Sequence, residues 1–108
     1  MTERMRRVNE VMREVIGDGL GRLEDPRIGF VTVTSVEASP DLRSARVYVS
    51  VLGGEDERRA TLAGLGSSHG ILQARIAREM RLKRTPTLSF HYDDSPERAV
   101  RLSRLLDS

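Results

Sequence analysis

Regularly spaced cations between residues 75 and 84 are the part of this sequence that most clearly predicts chemistry. Arginines recur there at every third residue, as side chains do on one face of a helix, and apolar residues repeat at i, i+4 on the roughly opposite face. The two sets are Arg75, Arg78 and Arg81, and Leu72, Ile76 and Met80. Lys83 and Arg84 extend the positive charge beyond the helix. One face is therefore expected to pack on a core, while the other is free to contact nucleic-acid phosphates.

Two glycines, Gly66 and Gly70, precede this run and predict a break between two helices. Backbone amides at the start of the second helix carry partial positive charge and attract phosphate. The predicted RNA-binding residues are Ser68, His69, Gly70, Arg75, Arg78, Arg81, Lys83 and Arg84. The alternative is an ordinary solvated helix face, with glycines that only cap and restart helices.

A second group of arginines lies in the first predicted helix and comprises Arg4, Arg6, Arg7 and Arg13. Acidic residues alternate with this group, namely Glu3, Glu10 and Glu14. Mixed charge is typical of a solvated surface, so contacts between these arginines and RNA are an additional hypothesis.

The aromatic residues bear on how RNA would be bound. Phe30, Tyr48, Phe90 and Tyr92 are the only four, and the last two alternate with Leu88 as core residues do. Few rings remain on which single-stranded bases could stack. Binding through phosphates and the shape of folded RNA is therefore favoured, and it should weaken strongly with salt.

Catalysis is the competing class of function. His91 with Asp93 or Asp94 could form an acid–base pair or a metal site, and Ser68 with His69 could supply a nucleophile and its base. Adjacent residues seldom adopt triad geometry, and no GxSxG motif is present. Cysteine is absent, which excludes thiolate chemistry and Cys-based zinc sites. We therefore expect no enzyme, no metal and no cofactor.

The length of 108 residues predicts one domain, residues 1–108, and no apolar run approaches the ~20 residues that cross a bilayer. The protein is expected in the cytoplasm. Hydrophobic periodicity predicts a helix over 5–20, and strands over 29–37 and 45–51 in antiparallel pairing. It also predicts two helices separated by the break at 66–70, the second over 71–82. A third strand at 87–92 and a terminal helix opening at Ser95-Pro96 complete the order α-β-β-α-α-β-α.

Several strings, in this order, resemble the ribosome-binding factor A family. They are Val8-Asn9-Glu10, Asp25-Pro26-Arg27-Ile28-Gly29-Phe30-Val31-Thr32-Val33-Thr34, Val36-Glu37-Ala38-Ser39-Pro40-Asp41-Leu42, Ala45-Arg46-Val47-Tyr48-Val49-Ser50-Val51-Leu52-Gly53, Arg81-Leu82-Lys83-Arg84-Thr85-Pro86, Leu88-Ser89-Phe90 and Tyr92-Asp93-Asp94-Ser95. The resemblance implies an α+β, type II KH-like domain, in which helices cover one face of a three-stranded sheet. It also implies a kinked helix–helix in which Ser68-His69-Gly70 matches the Ala-x-Gly kink of the family, with serine in place of alanine.

The resemblance also implies a role in late maturation of the small ribosomal subunit, including rRNA processing and growth in the cold. The implied partners are the small subunit and its ribosomal RNA near the decoding region, with assembly GTPases as further candidates. The protein is expected to be a monomer, and no membrane partner is expected. The alternatives from the residues themselves are a protein-interaction module with a solubilising basic face, and a hydrolase that uses His91.

Overall fold

A mixed three-stranded sheet forms the centre of the structure, a computed structural model that describes residues 2–94. The elements are α1 (Glu3–Leu20), β1 (Val31–Ala38), β2 (Ser44–Val51), α2 (Glu55–Ser67), α3 (His69–Glu79) and β3 (Thr87–Tyr92). This order confirms the first six predicted elements, with strand β1 displaced by one or two residues from the predicted 29–37. The predicted terminal helix at Ser95-Pro96 lies outside the described residues.

The strands lie in the order β1-β2-β3. β1 runs antiparallel to β2, as predicted, with Val31 opposite Val51. β3 runs parallel to β2, with Thr87 opposite Ser44. A parallel pair needs a long crossover connection, and here α2 and α3 provide it.

One face of the sheet carries the core. Along β2 the alternate residues Ala45, Val47, Val49 and Val51 are buried, and the register places Leu88 of β3 on the same face. All three helices bury apolar side chains in this cluster, namely Met12 and Ile16 from α1, Leu65 from α2, and Leu72 and Ile76 from α3. The predicted α+β architecture, with helices on one sheet face, is therefore confirmed.

A β-bulge interrupts the pairing of β1 with β2 at Thr34, where the register shifts between Val33 and Ser35. The buried Thr34 hydroxyl contacts the carboxylate of Asp93 and the backbone carbonyl oxygen of Tyr48. The Asp93 amide in turn donates to the carbonyl oxygen of Val49 at 2.8 Å. The bulge therefore joins β1 to the end of β3 across the central strand.

Helix α3 ends at Glu79, three residues before the predicted end at Leu82. Met80 is already extended, with φ −120° and ψ 142°. The physical reason is distance, because an extended chain advances about 3.3 Å per residue and a helix only 1.5 Å. The segment after α3 must reach Thr87, whose amide donates to the Arg43 carbonyl oxygen at 3.0 Å at the start of β3.

Candidate nucleic-acid interface

The kink between α2 and α3 consists of one residue, Ser68, and is shorter than the predicted break at 66–70. The Ser68 amide donates to the carbonyl oxygens of Gly64 and Leu65 at 3.1 and 3.0 Å, and the Ser68 carbonyl oxygen accepts from the Ile71 amide at 3.1 Å. Ser68 is only 7% exposed. Ser68 therefore caps both helices, and of the three predicted kink residues only His69 and Gly70 face solvent.

Gln73 connects the kink to the sheet, a link for which the sequence pattern offers no signal. Its Oε1 accepts a hydrogen bond from the Leu88 amide at 3.1 Å, and His69 Nδ1 lies 3.0 Å from the same oxygen. The Leu88 donor identifies that Gln73 atom as the oxygen, so His69 must carry a proton on Nδ1 to bond to it. In the neutral ring Nε2 is then the acceptor.

Arg75 lies between α1 and α3. Its side chain is only 15% exposed, and its Nε pairs with Glu79 Oε2 at 2.8 Å. The helices approach closely at Gly19, where an added Cβ would lie 2.8 Å from Leu72 Cδ2 and 3.0 Å from Arg75 Cδ. The predicted stripe of three arginines on one helix face is therefore wrong in geometry, because Arg75 turns towards α1 and Arg81 lies beyond the end of α3.

Two neighbouring grooves contain five of the eight other cations that were predicted to contact RNA. The first, which we call the arginine groove, has a volume of about 550 Å³ and is lined by Glu3, Arg4, Arg7, Val8, Val11, Glu79, Met80 and Arg81. The second, the turn groove, has about 630 Å³ and is lined by Thr2, Arg4, Met5, Val8, Pro40, Asp41, Leu42, Arg81, Leu82, Lys83 and Arg84. Both share Arg4, Val8 and Arg81, so the start of α1 and the segment 80–84 form one continuous surface.

The carboxylates in these grooves are paired. Glu3 pairs with Arg6 at 2.6 Å, Glu79 with Arg75 at 2.8 Å, and Asp41 with Arg43 at 3.4 Å. Hydrogen bonds from the Ser39 hydroxyl and the Arg43 amide, together with the positive charges of Arg43 and Arg84, lower the pKa of Asp41. Asp41 therefore stays ionised and keeps its own hydrogen-bond donors.

The cations of the grooves are not paired in this way. Five exposed side chains make no ion pair with any carboxylate of residues 2–94, and these are Arg4, Arg7, Arg81, Lys83 and Arg84. The surface thus presents uncompensated positive charge, which is what binding to a polyanion requires.

The other predicted residues lie elsewhere. Arg6 pairs with Glu3, and Arg13 pairs with Glu10, which raises the pKa of Arg13 through a side-chain hydrogen bond. Arg78 is exposed on α3 but lines neither groove. The structure therefore joins Arg4 and Arg7 of the first helix to Arg81, Lys83 and Arg84, and separates them from Arg6, Arg13 and Arg75.

His91 and Asp93, two of the candidate catalytic residues, have structural partners. His91 Nε2 lies 2.9 Å from Ser89 Oγ, with its ring 5.6 Å from that of Tyr48, while Asp93 is buried against Thr34. Residues 2–94 bring no three His, Asp or Glu side chains together as a metal site would need. Nor does this described part contain a helix both long and apolar enough to cross a membrane.

Comparison with known proteins identifies the family. The family model for ribosome-binding factor A matches residues 4–106, nearly the whole chain. The chain belongs to the ribosome-binding factor A family. A crystal structure of ribosome-binding factor A from Thermus thermophilus is 29% identical, covers 85% of this chain and 99% of its own, and superposes with a TM-score of 0.76.

Two further structures extend the similarity. A Thermotoga maritima protein solved by NMR, proposed to be a ribosome-binding factor A, is 33% identical over 87% of this chain and 92% of its own, with a TM-score of 0.78. A homology model of the Thermus thermophilus factor, fitted into a cryo-EM map of its complex with the 30S subunit, is 30% identical over 77% of this chain and 88% of its own, with a TM-score of 0.65. The predicted KH-like fold agrees with these relatives.

Proposed function

We propose that this chain is a single KH-like RNA-binding domain that binds ribosomal RNA of the small subunit during its late maturation in the cytoplasm. Its action is non-catalytic and needs no cofactor. The observation that carries the proposal is the pairing pattern in the two grooves, where every lining carboxylate has an arginine partner and five exposed cations have no ion pair within residues 2–94. The 30S complex of the Thermus thermophilus relative supports the same partner.

The proposed mechanism depends on a positively charged surface that a rigid domain holds in place. The cations of α1 and of the segment 80–84 hold RNA phosphates, and the domain occupies space that RNA segments need in the mature subunit. Correct folding of the RNA then favours release, because the protein binds the immature arrangement more tightly. His69, Gly70 and Arg78 form a second contact region on α3. A role in rRNA processing and growth in the cold, action as a monomer, and cooperation with assembly GTPases belong to the same proposal.

The test is co-sedimentation of the purified protein with small and large subunits over a salt series. Two groove residues, Arg4 and Arg81, are replaced by glutamate together. The matched control is R22E with R59E, which makes the same change of charge at exposed arginines outside both grooves. We expect the groove variant to lose binding to small subunits and the control to retain most of it.

Salt dependence separates this proposal from a protein-interaction module. The slope of log affinity against log salt should fall by about 0.7–0.9 for each phosphate that a variant no longer binds. Equal binding by the groove variant and the control, or binding that ignores salt, would contradict the proposal and favour the interaction module. Unchanged melting temperatures in both variants would show that the fold is intact.

A further inference from the structure

We propose that the arginine groove holds one unpaired RNA base on its apolar floor, while the arginines of its walls bind the neighbouring phosphates. This inference rests on the proposed function and specifies which RNA feature the surface selects. Binding to a phosphate backbone requires cations alone, and an apolar floor adds nothing to it. The apolar floor therefore indicates that the ligand carries an apolar group in addition to its phosphates.

The floor consists of Val8, Val11 and Met80. Val8 and Met80 are partly buried and packed against the hydrophobic core, which fixes the floor in place. Val11 is 40% exposed. An exposed apolar side chain is ordinary by itself, but this one lies within a groove whose walls carry arginines that make no ion pair within residues 2–94. A ligand for this groove must combine an apolar surface with negative charge.

A nucleotide has this combination. A volume of about 550 Å³ lies within the range of small-ligand pockets and suits a single base rather than a double helix. Arg4 and Arg7 stand on the α1 wall at i, i+3 spacing, and Arg81 stands on the opposite wall. Guanidinium planes stack on bases as well as bind phosphates, so the groove does not need an aromatic ring.

An acidic peptide fits less well. A docked amphipathic helix needs a row of apolar anchors at i, i+3 or i+4, and i+7 along a continuous groove. The floor offers three apolar side chains, and of these only Val8 also lines the turn groove, together with the cations Arg4 and Arg81 that both grooves share. The balance of charged to apolar side chains favours an RNA nucleotide.

The experiment compares three fluorescent RNA hairpins that differ at one position. One carries a single bulged adenosine, one carries an abasic residue at the bulge, and one is fully paired. We expect the protein to bind the bulged adenosine roughly tenfold more tightly than the abasic hairpin, an effect that burial of roughly 55 Å² of base surface on the apolar floor would produce. V11N should remove this preference while the salt dependence stays unchanged, because no cation is lost. V11L should keep the preference.

Each outcome decides the inference. Equal affinity for all three hairpins, or a preference for adenosine that survives V11N, would overturn base insertion. Displacement of the adenosine hairpin by a synthetic acidic amphipathic peptide, with the same dependence on Val11, would overturn it in favour of a protein ligand. Salt-dependent binding without a preference refutes only this inference, whereas the proposed function fails on the co-sedimentation test. V11N should fold normally, since Val11 is partly exposed and asparagine has a similar helix propensity.

Discussion

At the scale of single residues, pairing separates arginines that resemble each other in sequence. Arg4, Arg6 and Arg7 are near neighbours on α1, yet Arg6 is bound by Glu3 whereas Arg4 and Arg7 line the arginine groove. The sequence pattern indicates mixed charge there and cannot divide the group, because side chains of one helix turn point in different directions. Individual partners decide which charge remains available to a ligand.

The turn before β1 provides a pH prediction at this scale. Asp25 accepts hydrogen bonds from the Arg27 side chain and amide, which lower the pKa of Asp25 from 3.8 to about 2. The folded state therefore binds this proton less tightly than the unfolded chain does, and ionised Asp25 stabilises the fold. That contribution should be complete above pH 3.8 and disappear as the pH falls towards 2.

NMR titration of the Asp25 carboxyl carbon measures this directly. A midpoint near 2 is expected in the folded protein, with R27Q moving it upward. The acid-unfolding curve of D25N should be flatter between pH 3.8 and 2 than that of the unchanged protein. A midpoint near 3.8 in the folded state would show that the Arg27 interaction does not persist in solution.

At the scale of elements, the close approach of α1 and α3 sets the position of the arginine groove. Gly19 allows Leu72 and Arg75 to lie directly against the α1 backbone. Apolar periodicity predicts the first helix, and the structure begins it at Glu3, capped by Thr2. Its contact with α3 could not be predicted, since a glycine near a helix end is equally consistent with a simple stop.

Substitution at Gly19 tests this contact. G19V should lower the free energy of unfolding by about 1–3 kcal/mol, because the added side chain overpacks a buried helix–helix contact. The matched control is G17V, since nothing lies within 4 Å of a Cβ at Gly17. Urea unfolding should place G17V within about 0.5 kcal/mol of the unchanged protein. Equal effects of the two substitutions would argue against close packing at Gly19.

The end of α3 shows where local patterns stop being informative. Met80 continues the helical apolar pattern of Leu72 and Ile76 in sequence, but in the structure it is partly buried with an extended backbone just beyond the helix. The bulge at Thr34 could not be predicted for a related reason, because a run of β-branched residues predicts a strand and says nothing about its register. Both features depend on where distant strands must pair.

At the scale of the whole molecule, element order and the covered face of the sheet were predictable because they depend on periodicity along β2 and the helices. The two grooves were not, since they join residues 2–11 to residues 79–84, with residues 40–42 completing the turn groove, and depend on the packing of α1 against α3. No local pattern indicates that proximity, although both segments are rich in arginine. Of the arginines predicted to contact RNA, only Arg4, Arg7, Arg81 and Arg84 line the two grooves.

The parallel pairing of β3 has a consequence for the order in which the molecule opens. β1 and β2 adjoin along the chain, whereas β3 joins them only after residues 52–86 have crossed the sheet. The entropy cost of that long closure makes β3 the strand expected to detach first in partial unfolding. Amides of β3 should therefore exchange with deuterium sooner than those at the centre of the β1–β2 pair, and equal protection would contradict this order.

Two residues separate the segment 80–84 from β3. A polyanion that binds both this segment and α1 would therefore hold β3, the strand expected to detach first, in place. Bound RNA would then slow deuterium exchange in β3, some distance from the atoms it touches, by stabilising the closed form through mass action. The surface that we propose to bind ribosomal RNA would thus also respond to whether β3 is in place.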